Sequence, residues 1–429
     1  MDRSEAAAQA EQYYQAIEAM LLFRQVFESL AGQSFCVLLS GLIAGDIHRC
    51  LRSYSDWFQA LASSGETWKT HLLRQLAYAD NAFTQQAQSR DLSQLASPLV
   101  DAATQDLHQL QLICELSPAQ VAHWVQAMAE LLPPPIAWDV DDRQPLPFQF
   151  EGETWSEELF RLARHYRQHG VGQFAQYRAF TWQQGKLEGI AHPDPIRLDQ
   201  LTAYDYPRQQ LLQNTLALLK GYPALNVLLY GSRGAGKSSL VKALLTEFHD
   251  QGLRLVEVSK SRLADLPQIV DELRAAPQKF IIFVDDLSFE EDDDAFKALK
   301  VVLEGSVTAR PTNVVVYATS NRRHLVREFF GERPRPRDQD EVQAWDTMQE
   351  KLSFSDRFGL TLTFEPADQP TYLQIVEHLA EQAGIALPPD ELTARSLQWA
   401  TRHNGRSGRS ARQFIDYLTA ELNLKAEDA

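Results

Sequence analysis

The hydrophobic rhythm of this chain changes three times along its length. Over residues 1–130 apolar side chains recur at helical spacing. Met20, Phe23, Phe27 and Leu30 step by three and four, with Ile17 and Val26 beside them. Trp57, Phe58 and Trp68 add aromatic bulk, glycine is sparse, and no strand alternation interrupts. The pattern predicts an all-helical segment in which the most apolar run, residues 35–44, is a buried helix too short to span a bilayer. Three consecutive prolines, Pro133 to Pro135, cannot continue a helix. Helical patterning resumes over residues 153–183 with Tyr166, Phe174, Tyr177, Phe180 and Trp182, and His-Pro-Asp-Pro at 192–195 marks the next break. From residue 196 short apolar runs alternate with helical stretches, and the runs at 226–230, 253–258, 280–286, 313–319 and 360–364 predict strands. Their continuous apolar character fits parallel strands buried on both faces of a doubly wound α/β sheet. After Pro366 the rhythm is helical to the end. Tyr372, Val376, Leu379 and Ala383 share one face, and Ala411, Phe414, Ile415, Leu418 and Leu422 another. The expected organisation is a helical domain over 1–132, a linker with a helical segment over 133–195, an α/β domain over 196–366 and a helical part over 367–429.

The chemistry concentrates in the α/β region. Between the first strand and its helix lies Gly231-Ser232-Arg233-Gly234-Ala235-Gly236-Lys237-Ser238, a full match to the phosphate-binding loop pattern. Its glycines allow positive φ and let backbone N–H groups close around phosphate oxygens. The helix start adds donors and a positive dipole end. Lys237 can reach the outer phosphates, and the Ser238 hydroxyl can ligate Mg²⁺. Arg233 is expected to point outward.

The run at 280–286 ends in two carboxylates. Asp285 is expected where Mg²⁺ sits, opposite Ser238, and Asp286 one step further, placed to polarise an attacking water. The strand 313–319 has a polar tip, and Asn321 or Thr319 is expected beside the outer phosphate. Arg357, in Ser-Asp-Arg-Phe, precedes the last strand, where a guanidinium can stabilise a transferring phosphoryl group. Arg409 and Arg412 are three apart at the start of the last helix and share a face. The acidic run 290–294 reads as a solvated loop.

Composition narrows the setting without adding chemistry. The 429 residues exceed one ordinary core, and 44% apolar with 23% charged residues is ordinary for a globular protein. A net charge of −16 disfavours nonspecific nucleic-acid binding, although Arg322, Arg323, Arg333, Arg335 and Arg337 form a local basic cluster. Cys36, Cys50 and Cys114 are odd in number and lack metal-ligand spacing, which fits a reducing, cytoplasmic compartment. The polar N-terminus carries no signal-peptide pattern.

Taken in order, the phosphate loop, FVDDLSF, YATSNRRHL, SDRFGLTLTF and GRSGRSARQF resemble an AAA+ ATPase. They are most similar to a bacterial family of AAA+ ATP-binding proteins with a helical N-terminal extension. The resemblance covers residues 174–424. It implies an AAA+ αβα sandwich with a five-stranded parallel sheet, a C-terminal helical lid and an all-α N-terminal domain. It also implies roles. Gly231, Ser232, Gly234, Ala235, Gly236, Lys237, Ser238 and Ser239 would bind ATP. Ser238 and Asp285 would hold Mg²⁺, and Asp286 would act as catalytic base. Asn321 would be the first sensor, and Arg357 the arginine finger given to a neighbouring subunit of a homo-oligomer. Arg412, or else Arg409, would be the second sensor, and residues 201–204 would lie by the adenine. Two departures stand out. Asp286 replaces the more usual Glu. The SKSRLADLPQ segment after the second strand lacks the aromatic pore loop of peptide-threading relatives. The leading expectation is an ATP-hydrolysing remodeller or switch whose N-terminal helices bind a protein client. The alternatives are an ATP-binding scaffold with little turnover and an initiator-like nucleic-acid ATPase.

Overall fold

The computed structural model describes residues 2–141, 145–287, 294–304, 311–321, 357–403 and 405–427. They belong to two compact units, Met1–Gln176 and Tyr177–Ala429.

The described residues of the first unit contain helices and no strand. Its core is built on buried Phe23, Phe35, Trp57, Trp68, Phe83, Trp124 and Tyr166. Phe35, Leu38, Leu39 and Leu42 are buried along the helix Leu30–Ala44, as the apolar run predicts. The stripe from Met20 to Leu30 does not lie on one helix. The first helix ends at Glu18, Met20 and Phe23 follow it, and a 3₁₀ turn spans Arg24–Phe27. The break has a tertiary cause. The buried Asp106 carboxylate accepts hydrogen bonds from the N–H groups of Leu21, Leu22 and Phe23 at 2.7–3.1 Å, which offers the backbone partners other than a continuing helix. Leu30, 70% exposed, then opens a new helix capped by Ser29. Ser29 Oγ accepts from Gly32 N–H at 3.1 Å and lies 2.7 Å from His71 Nε2, and His71 Nδ1 lies 2.9 Å from Glu66 Oε2. Burial pushes the Glu66 carboxyl up, but the His71 hydrogen bond and the charges of Arg74 and His71 outweigh it, leaving its pKa lowered. Burial pushes the Cys36 and Cys50 thiols up to about 11, so both are protonated near neutral pH.

His165, on the helix Leu159–His169, gives this unit a pH dependence. Burial first, and the neighbouring His169 second, lower its pKa from 6.5 to about 4. The unfolded chain therefore takes up a proton between those values while the folded chain does not, so stability falls as pH drops from about 6.5 towards 4. The full span corresponds to about 3 kcal/mol. Urea midpoints followed by tryptophan fluorescence should drop between pH 7.5 and 5.0. In His165→Gln the drop should shrink, and an unchanged drop removes His165 as its source.

The second unit carries a seven-stranded sheet in the order β2-β1-β4-β5-β6-β3-β7. Its strands are β1 (Ala179–Gln183), β2 (Lys186–Gly189), β3 (Val227–Gly231), β4 (Leu253–Glu257), β5 (Lys279–Val284), β6 (Val314–Ser320) and β7 (Leu360–Phe364). All five predicted strands are present and run parallel. Two further strands extend the expected five. Residues 179–183, expected as helix, form β1 parallel to β4, and β2 pairs antiparallel at the edge. Phe180 and Trp182 are buried while Gln183 is exposed, the period-two pattern of a strand. Gln184 and Gly185, both at positive φ, close the hairpin. One sheet face packs Val227, Leu229, Ile281, Phe283, Val315 and Tyr317 against the helices Asp205–Leu219 and Lys237–Phe248. The helices Gln369–Gln382, Pro389–Arg402 and Gly408–Glu427 share a core of Tyr372, Val376, Leu379, Phe414, Ile415 and Leu418. Ala383, expected on that face, follows the helix end and is exposed, and Ile375 and Ala380 are buried instead. The chain thus has the α/β fold with a helical C-terminal part and a helical N-terminal region that its rhythm predicts.

Candidate functional site

Parallel strands place their C-terminal ends along one sheet edge, where loops can converge. β3 delivers the glycine loop there. Gly231, at φ 136°, admits no side chain, because a Cβ would collide with the Phe364 carbonyl at the end of β7. That carbonyl accepts from Ser232 N–H at 2.9 Å, which fixes the start of the loop against the sheet. Gly234 and Gly236 also take positive φ, 73° and 83°, and the helix Lys237–Phe248 begins directly after Gly236.

Lys237 is 6% exposed, and its ammonium donates to Gly231 O at 3.0 Å, Ser232 O at 2.7 Å and Asn321 Oδ1 at 3.3 Å. Burial lowers its pKa, and the charges of Asp285 and Asp286 oppose that shift. The Ser238 hydroxyl donates to Asp285 Oδ1 at 2.7 Å. The same oxygen accepts from Asp286 N–H at 3.1 Å and from the Thr319 hydroxyl. Asp286 N–H also reaches Thr319 Oγ1 at 3.0 Å, and Asn321 Nδ2 donates to Asp286 Oδ1 at 2.7 Å. Lys237, Ser238, Asp285, Asp286 and Asn321 come from three segments of the chain and form one hydrogen-bonded cluster.

Asp286 has φ of 50°. Asp and Asn are enriched among residues that adopt this left-handed region. A shorter acid in place of the more usual Glu therefore has a backbone rationale at this turn.

These residues line a cavity of about 890 Å³. Gly234, Ala235, Gly236, Lys237, Ser238, Ser239, Asp285, Asp286, Thr319 and Asn321 all contribute to its wall. Gly231 and Ser232, at the start of the loop, are not among the lining residues and hold Lys237 through their carbonyls. Arg233, expected to point outward, is exposed and yet lines the cavity. Residues 201–204 form another part of the wall, with Ile375 and Leu379 from the C-terminal helices adding apolar surface. Tyr204 donates from its hydroxyl to Glu365 O at 2.8 Å, and its ring lies 5.2 Å from that of Phe364. Both Arg409 and Arg412 line the cavity. The helix that carries them touches the loop itself, because Arg409 N–H donates to Gly234 O at 3.3 Å. The wall also includes Arg208 and Gln200, which no sequence motif marks, and Asp194 and Gln413, which lie in the His-Pro-Asp-Pro and GRSGRSARQF segments.

Arg357 is not part of this wall. The parallel register sets Val227 opposite Leu360 and Gly231 opposite Phe364, so Arg357, preceding Leu360, lies beyond the far end of β7 from the phosphate loop. Residues 290–293 of the acidic run, Arg322, Arg323, Arg333, Arg335 and Arg337 of the basic cluster, and Ser355 and Asp356 lie outside the described residues. Among the described residues no helix is long and apolar enough to cross a membrane.

A family model described as "Protein of unknown function (DUF815)" matches residues 175–422, more than half of the chain. No curated protein matches the chain. Among solved structures the chain is similar to the Holliday junction branch migration motor RuvB of Thermotoga maritima. The identity is 14% and the TM-score 0.34, over 52% of this chain and 72% of that one. A single-site mutant of the same motor matches at 15% identity and TM-score 0.33, with the same shares covered.

Proposed function

This chain belongs to the DUF815 family, and we propose that it is a magnesium-dependent AAA+ ATPase that acts as a homo-oligomer to remodel or switch a protein partner held by its helical first unit. The observation that carries the nucleotide reading is the convergence of Lys237, Ser238, Asp285, Asp286 and Asn321 on the wall of one cavity, beside the glycine loop. The loop N–H groups and the helix start favour phosphate, and Lys237 adds a buried cation. The wall at 201–204, with Ile375 and Leu379, gives an apolar place for the base, and Arg409 and Arg412 are cations for the phosphate end.

The donor set fits Mg²⁺. A hydroxyl and a carboxylate, both hard oxygen donors, stand 2.7 Å apart at Ser238 and Asp285. Bound there, the ion would neutralise charge on the transferring phosphate. Asp286 takes the proton of the attacking water, and Asn321, bonded to both Lys237 and Asp286, aligns the base with the phosphate.

Phosphate release from Mg·ATP tests the reading. The wild-type chain should turn over. Asp286→Asn should keep nucleotide affinity and lose roughly 10²-fold in kcat, within the usual range for a general base. Asparagine tolerates the left-handed backbone and keeps an acceptor for Asn321, so folding should survive. Full turnover in Asp286→Asn removes Asp286 as the base, and no turnover in the wild type favours an ATP-binding scaffold.

A further inference from the structure

We propose that Thr319 is a positioning residue, whose hydroxyl fixes the Asp285 carboxylate for the metal and holds Asp286 in its left-handed turn. This inference rests on the nucleotide reading above and deepens it.

Three consecutive residues at the end of β6 hold three consecutive residues at the end of β5. Thr319 Oγ1 donates to Asp285 Oδ1 and accepts from Asp286 N–H at 3.0 Å. Thr319 O accepts from Leu287 N–H at 2.7 Å, and Ser320 Oγ donates to Leu287 O at 2.9 Å. Asn321 Nδ2 donates to Asp286 Oδ1. A positive φ at Asp286 costs energy and persists only where the surroundings over-determine it. Thr319 is 2% exposed and is the member of this staple whose side chain touches both acids.

Its effect on Asp285 is directional. Ser238 Oγ, Asp286 N–H and Thr319 Oγ1 all bond Oδ1, which leaves Oδ2 as the oxygen turned to other partners. A carboxylate ordinarily swaps its two oxygens by rotating about one bond. The Thr319 hydroxyl, buried and donating to one of them, opposes that rotation. Valine has the same shape and no hydroxyl, so Thr319→Val removes this restraint while filling the same space. It also leaves Asp286 N–H with one partner fewer. Serine keeps the hydroxyl and loses only a methyl group.

The test is isothermal titration of ATP into the full chain, with Mg²⁺ and with EDTA, alongside phosphate release. Affinity in EDTA reports the loop and Lys237 without the metal, so any loss in Thr319→Val there is the baseline from which its Mg²⁺-linked gain is read. The gain in affinity that Mg²⁺ gives the wild type should shrink about tenfold in Thr319→Val, and kcat should fall more than KM changes. Thr319→Ser should recover most of both. The proposal is overturned if Thr319→Val keeps the full Mg²⁺-linked gain, or if Thr319→Ser is as impaired as Thr319→Val, which would mark a packing role. Failure of the wild-type chain to bind ATP under either condition would overturn the nucleotide reading itself, and this proposal with it.

Discussion

Replacing Lys237 with alanine is expected to lower the affinity for Mg·ATP by roughly 10³-fold, about 4 kcal/mol. The expectation follows from what its ammonium does in the structure. It is buried, and its three N–H donors are held by Gly231 O, Ser232 O and Asn321 Oδ1. The two carbonyls aim the side chain across the loop, so the cation is oriented before any ligand arrives. Phosphate oxygens can replace these acceptors with charged ones, and each charge-assisted hydrogen bond contributes roughly 1.5–3 kcal/mol. Loss of about two of them accounts for the expected effect. Alanine also leaves the Gly231 and Ser232 carbonyls without that donor, so some stability should be lost, about 1–2 kcal/mol. A thermal melt beside the titration separates the two losses. A folded Lys237→Ala chain that binds Mg·ATP as tightly as the wild type would mean that the cavity is not a phosphate site.

The loop was legible because its chemistry is local. Glycines at fixed offsets, a lysine and a serine follow one another in sequence, and backbone geometry brings them together. The acid tip was legible for a related reason: five continuous apolar runs predicted five parallel strands, and parallel strands end on one edge. The hairpin of β1 and β2 was missed although its signal was present. Phe180 and Trp182 alternate with polar residues, and Gln184-Gly185 is a two-residue turn. The aromatic density before them favoured a helical reading. The stripe from Met20 to Leu30 failed differently. Its spacing is helical, but Asp106, more than eighty residues away, takes the backbone N–H groups that a continuing helix needs. Long-range capture of this kind leaves no local trace. The role of Thr319 is a similar case. The polar tip singled it out as a candidate beside the phosphate, but only the register of β5 against β6 sets its hydroxyl between Asp285 and Asp286.

Arg357→Ala is expected to bind Mg·ATP within about twofold of the wild type and to lose roughly 10³-fold in turnover, the lower end of what an arginine finger supplies. The register of β3 and β7 puts Arg357 at the opposite sheet edge from Gly231, with the full length of β7 between them. A side chain there serves a transferring phosphate only if that phosphate sits on another chain. Guanidinium suits such a task, because it stays charged and can bond two phosphate oxygens at once. Wild-type activity per chain should accordingly rise with protein concentration. Mixing gives the sharper measurement. Arg357→Ala chains keep an intact Asp286 and Asp286→Asn chains keep an intact Arg357, so each fails alone. In a mixed oligomer an Arg357→Ala site can face an Asp286→Asn neighbour and regain both groups. Phosphate release should then recover on mixing, and it should peak at an intermediate ratio of the two proteins. No recovery, with mixed oligomers demonstrated by cross-linking, would exclude donation of Arg357 between chains.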